Sequence, residues 1–154
     1  MQNNFERFQE VYPDAELSPI EGCDNCIVGI AERFGGFVNL VYDEKKLKQK
    51  KKKQSTSGFV ILHGFNNAKK ACEAFPSEEF LQVDGFGKCF LGVACWENFK
   101  VFAYDREKII STLMRRDKMS YEGALEFFDF NIIGSYVGEK TPIFVTTVKD
   151  FIGD

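Results

Sequence analysis

The chain has 154 residues, 44% of them hydrophobic and seventeen of them Phe, with a formal charge of −3. That composition buries a real core and excludes a disordered chain. No apolar run reaches the roughly 18 residues of a spanning helix, so no membrane association is expected. The opening Met1-Gln2-Asn3-Asn4-Phe5-Glu6 lacks the basic-then-apolar pattern of a secretory signal, and the expected address is cytoplasmic.

The charge is uneven. Glu44 to Lys53 holds seven lysines against one Glu, a sum of +6, which leaves the rest near −9. An acidic body with one basic arm is unlike a typical nucleic-acid binder, whose whole binding face is basic.

Two stretches, 3–47 and 66–109, read as copies of one segment. Tyr12-Pro13 answers to Phe75-Pro76, Glu21-Gly22 to Asp84-Gly85 and Cys26 to Cys89, each at an offset of 63. Tyr42-Asp43 answers to Tyr104-Asp105 at 62. Such self-similarity bounds the fold before any single motif does.

In chain order, Asn3 or Asn4 caps a first helix that stops at Pro13. Cys26 to Glu32 and Phe37 to Tyr42 form a hairpin, read from the clearer second copy. Asp43 caps a lysine-rich helix running to about Gln54. Phe59 to Leu62 is a strand. Asn66 or Asn67 caps the helix Ala68 to Phe75. Cys89 to Trp96 and Phe99 to Tyr104 are aromatic and β-branched runs about Glu97-Asn98, a second hairpin. Asp105 caps a helix to about Asp117, with Ile109, Ile110, Leu113 and Met114 on one side.

Ser120 starts a further helix found only in the second copy. At 100° per residue Tyr121, Ala124, Leu125, Phe127, Phe128, Asn131 and Ile132 share an apolar arc, so Asn131 is expected to be a buried polar residue. It would either tie down the turn at 138–142 or face a ligand pocket. Ile143 to Val148 is the last strand. The whole reads as a single α+β domain, residues 1–154. It has a mostly antiparallel sheet with helices packed on it, in two α-β-β-α-β units of about 3–63 and 66–148.

Catalytic chemistry is thin. Five Cys in a leaderless chain argue for reduced thiols, and Cys23-Asp24-Asn25-Cys26 lacks the second close pair that a zinc site wants. His63 is the only histidine and has no assigned partner. Glu122, Glu126 and Asp129 share a helix face and could hold Mg²⁺, although such spacing also makes an ordinary solvated face. No cofactor or metal site is implied.

The run Met119-Ser120-Tyr121-Glu122-Gly123-Ala124-Leu125-Glu126-Phe127-Phe128-Asp129-Phe130-Asn131, followed by Gly134-Ser135-Tyr136-Val137-Gly138-Glu139-Lys140-Thr141-Pro142, resembles a small family of uncharacterised phage and bacterial proteins. The front half, Gly29 to Gly35 with Val41-Tyr42-Asp43, is also similar to it. The resemblance covers about half the chain and implies a phage or bacterial setting, but no catalytic residues. Two positions depart from the pattern: the family has Glu in place of Gly123 and Gly in place of Lys118.

The expectation is a non-enzymatic protein-binding module, of the kind a phage uses as an accessory or inhibitor against a host protein in the host cytosol. The candidate partner-binding residues are Tyr42, Asp43, Tyr104, Asp105, Glu139 and Thr141, at the Tyr-Asp corners and the 138–141 turn. Two alternatives stay open. One is a nucleic-acid-associated protein using the basic arm Lys45 to Lys53, with Lys50, Lys51, Lys52 and Lys53 at its end. The other is a small metal-dependent hydrolase.

Overall fold

The computed structural model describes residues 2–50, 59–135 and 137–152. Six strands close into a barrel. They are β1 (Ile27–Arg33), β2 (Phe37–Asp43), β3 (Val60–Gly64), β4 (Phe90–Trp96), β5 (Phe99–Asp105) and β6 (Ile143–Thr147). Helices α1 (Asn4–Val11) and α2 (Glu44–Gln49) belong to the first half. Helices α3 (Ala68–Ala74), α4 (Arg106–Arg116), α5 (Tyr121–Phe127) and the short α6 (Val148–Ile152) belong to the second. The α+β class and the antiparallel majority stand, because only β2–β3 and β5–β6 pair in parallel.

The sheet expected with helices packed on it is instead rolled shut. Pairing of β1 with β6 makes the last junction, and β3 with β4 makes the equivalent one. Six strands enclose a narrow interior. Small and medium side chains fill it, among them Ala31, Val41, Ala94, Val101, Ala103 and Val145. The outer faces of the strands carry two further cores. One packs Phe8, Ile30, Leu40 and Leu47 around Tyr42, and the other packs Phe90, Phe102, Ile109 and Phe128 around Tyr104. Strand residues are thus buried on both sides, and simple alternation is lost.

Matching positions in the two halves make matching bonds. The ladder slips between Ile27 and Gly29 in β1 and between Phe90 and Gly92 in β4. The Tyr42 hydroxyl accepts the Ile20 N–H at 2.9 Å, and the Tyr104 hydroxyl accepts the Val83 N–H at 3.0 Å. The Asp43 and Asp105 carboxylates accept the Lys46 and Lys108 N–H at the starts of α2 and α4. Asn3 and Asn67 cap α1 and α3 in the same way.

Glycine is required where two strands come closest. A Cβ on Gly29 would sit 2.4 Å from the Thr146 carbonyl oxygen, and one on Gly92 would sit 2.1 Å from that of His63. Thr146 and His63 hold the same place in β6 and β3, since each pairs with the residue that follows the glycine, Ile30 and Val93 respectively.

Three expectations need correction. Helix α2 ends at Gln49; the rest of the expected lysine helix, with Lys51, Lys52 and Lys53, lies outside the described residues. Met114 is 37% exposed, because the buried stripe of α4 is Ile109, Ile110 and Leu113. Asn131 is exposed rather than buried, and Tyr121 and Phe127 are exposed too. For Asn131 the cause is a π turn at Phe128–Ile132, in which the Ile133 N–H reaches back to the Phe128 carbonyl at 2.9 Å. One extra residue in the turn takes the following side chains off the 100° wheel.

Candidate docking groove

Most of the expected partner-binding residues serve the scaffold. Tyr42 and Tyr104 are buried, with their hydroxyls engaged as above. Asp105 is 4% exposed, and burial raises its carboxyl pKa against the opposing Lys108 N–H bond. Thr141 is also buried: its hydroxyl donates to the Gly138 carbonyl at 2.7 Å and accepts the Val137 N–H at 2.9 Å. These four side chains offer no surface to a partner. Asp43 is half-buried at its helix cap, and only Glu139 is exposed. The 138–141 turn is pinned through its backbone, since Arg33 donates to the Gly138 and Glu139 carbonyls.

Two polar clusters occupy corresponding places and differ in chemistry. In one, the Tyr12 hydroxyl donates to Glu32 at 3.3 Å, and Arg106 lies 3.8 Å from Glu32 and 5.2 Å over the Phe128 ring. Burial, with Glu32 adding to it, pushes the Tyr12 phenol up to about 12. In the other, Phe75 and Cys95 replace Tyr12 and Glu32. Glu44 stands where Arg106 stands, and it pairs with His63 Nδ1 at 2.5 Å. Sequence reasoning left His63 without this partner, because β3 and α2 are joined across 50–59. Burial lowers the His63 pKa, with Glu44 opposing.

Nucleophilic chemistry at that second cluster is unsupported. Burial pushes the Cys95 thiol up to about 11, so it stays protonated at neutral pH. Cys23 and Cys26 are buried around one short 3-10 turn, and burial raises Cys26 as well. Glu122, Glu126 and Asp129 are all exposed, and among the described residues no group of three or more His, Cys, Asp or Glu is placed to hold a metal. Among those residues no helix is long and apolar enough to cross a membrane.

The pocket that sequence reasoning offered as one of two alternatives for Asn131 lies on the segment unique to the second half. A groove of about 310 Å³ runs between the 81–83 stretch and the chain from the π turn to Phe144. Val83, Ile132, Pro142 and Phe144 give it an apolar lining, and Asn131 and Gln82 contribute amides. The 81–83 wall is held by the Tyr104 hydroxyl on the Val83 N–H. The opposite wall is held by the buried Thr141 hydroxyl bridging Val137 and Gly138. Larger hollows of about 570 Å³ at Val11 to Glu16 and at Asn3 to Lys50 have more polar linings.

Exposed apolar side chains occur on the groove's lining, at Leu81 and Val137, and on the chain segment that leads into it. Phe130 is 75% exposed, Val137 62%, Tyr121 52%, and Leu81 and Phe127 about two-fifths. The aromatic-rich run Glu126 to Ile132 was the available signal. An ideal helical wheel turned Phe127 inward and did not judge Phe130 at all.

No family model matches the chain, and neither a curated protein nor a solved structure matches it.

Proposed function

We propose that this chain is a non-enzymatic protein-binding module that docks a partner on the face made by α5, the π turn and residues 137–142. The supporting observation is Phe130, a large aromatic three-quarters exposed on the π turn whose next residues, Asn131 and Ile132, line an apolar groove. Exposed apolar surface costs solubility, and a contiguous patch of it marks an interaction site. Four of the exposed large hydrophobics among the described residues, Tyr121, Phe127, Phe130 and Val137, fall within this one segment. π turns are also frequent at functional positions. The resemblance in sequence supports a phage or bacterial setting, with the module as an accessory or inhibitor acting on a host protein.

The test is affinity capture with three forms of the chain: unaltered, Phe130→Asp, and Lys46→Ala/Lys48→Ala/Lys50→Ala. Under this reading a protein partner binds the first and third forms and is lost from the second. Retention by Phe130→Asp, or capture of nucleic acid that depends on the lysines and on low salt, contradicts it.

A further inference from the structure

Building on that reading, we infer that the groove takes an extended peptide segment, with an apolar side chain in the groove and lysine or arginine on either side. Three observations select this occupant.

The first is size. At about 310 Å³ the groove lies at the small end of ligand sites, enough for one or two apolar side chains.

The second is the pair of amides on its lining. Each of Gln82 and Asn131 carries two N–H donors and one carbonyl acceptor. Among the described residues no hydrogen bond occupies either side-chain amide; at Asn131 only the main-chain carbonyl is used, by the Ser135 hydroxyl. Their natural complement is a main-chain N–H and C=O from the same residue. An extended segment presents both groups, whereas a helix spends them on its own ladder.

The third is charge. Asp84 follows Val83, Asp129 shares the π turn with Asn131, and Glu139 lies in the turn before Thr141; all three carboxylates are exposed. The lysine of that turn, Lys140, is already committed. It pairs with Glu78 at 2.6 Å, donates to the Lys100 carbonyl and lies 5.2 Å from the Phe80 ring centre. A further cation at that turn, Arg33, is held on the Gly138 and Glu139 carbonyls. With three carboxylates against it the rim is net negative, and a partner gains by bringing cations. Such pairs at a solvated rim act mainly on association rate and specificity.

The experiment is selection of random octapeptides displayed on particles against the full chain, followed by fluorescence anisotropy of the enriched peptides. The expected consensus has an apolar anchor flanked by Lys or Arg. Its binding should fall at least tenfold with Val137→Arg, which crowds the groove, and about tenfold with Gln82→Ala/Asn131→Ala. All these positions are exposed or half-buried, so the variants should melt with the parent. Acid-rich consensus peptides, or no enrichment at all, would overturn the inference. Peptides that survive Val137→Arg but are lost with Phe130→Asp would overturn the groove assignment while leaving the docking face in place. Peptides retained by both variants would remove the face as well.

Discussion

The hydroxyl of Tyr104 accepts the main-chain N–H of Val83 at 3.0 Å, and this bond ties a wall of the groove to the barrel. Tyr42 makes the same bond to Ile20, which borders the more polar hollow of the other half. Replacing either Tyr by Phe strands a partly buried N–H and should cost about 1–3 kcal/mol in urea unfolding. The two variants separate in function. Tyr104→Phe should also weaken binding at the groove, whereas Tyr42→Phe should leave it unchanged. Equal effects of the two on binding would mean that the 81–83 wall is not part of the site.

Gly29 and Gly92 give a second matched pair. An added methyl would press into the carbonyl oxygen of the neighbouring strand at either position. Backbone cannot retreat as a flexible side chain can. Gly29→Ala and Gly92→Ala should each destabilise by about 3 kcal/mol, the upper end of overpacking costs. If either melts within a degree of the parent, the barrel does not close as described.

Lys118 and Gly123 are places where the chain works against its own local preferences. Lys118 takes a left-handed φ of 56°, and it stands where the resembling family carries Gly. Gly123 sits in the first turn of α5, donating its N–H to the Ser120 cap at 3.0 Å. Lys118→Gly should gain about 1 kcal/mol by relieving backbone strain. Gly123→Ala should gain about 0.5–1 kcal/mol from helix propensity, provided that Ser120 Oγ yields a few tenths of an ångström from the new Cβ, 3.1 Å away. Calorimetry on the two variants separates these effects, and a loss at both positions would contradict the local geometry.

Stability should fall in alkali through Tyr12. Its phenol, pushed up to about 12 by burial and Glu32, keeps a proton that the unfolded chain releases near pH 10. The folded pKa is the higher one. The contribution is therefore whole below pH 10 and is lost as pH rises from 10 toward 12. Tyr12→Phe, which copies Phe75 of the other half, should flatten the decline in urea titrations at pH 9, 10 and 11. A decline of unchanged slope in the variant would assign it to other groups.

Local features were legible in the sequence, and non-local ones were not. Both hairpins, the Asn and Asp caps and the bounds of α1, α3 and α4 to within a few residues follow from turn chemistry and residue type. Closure of the barrel does not, because β1 meets β6 more than a hundred residues away and each parallel pair spans three residues. Burial on both faces removed the alternation that would have told inside from outside. The groove was obscured by the π turn: a regular wheel buries Asn131, while one wider turn brings Asn131 to the rim. Tyr42 and Tyr104 stood out in the sequence for a scaffold reason, since each hydroxyl is spent on a backbone N–H.

The most direct measurement is a backbone amide NMR map of the full chain titrated with a selected apolar-and-basic octapeptide. The account predicts shifts confined to Leu81–Val83, Asn131–Ile132, Val137 and Thr141, with Lys46 to Lys50 unmoved. Shifts centred on the lysines of α2, or scattered without reaching Asn131, would contradict it.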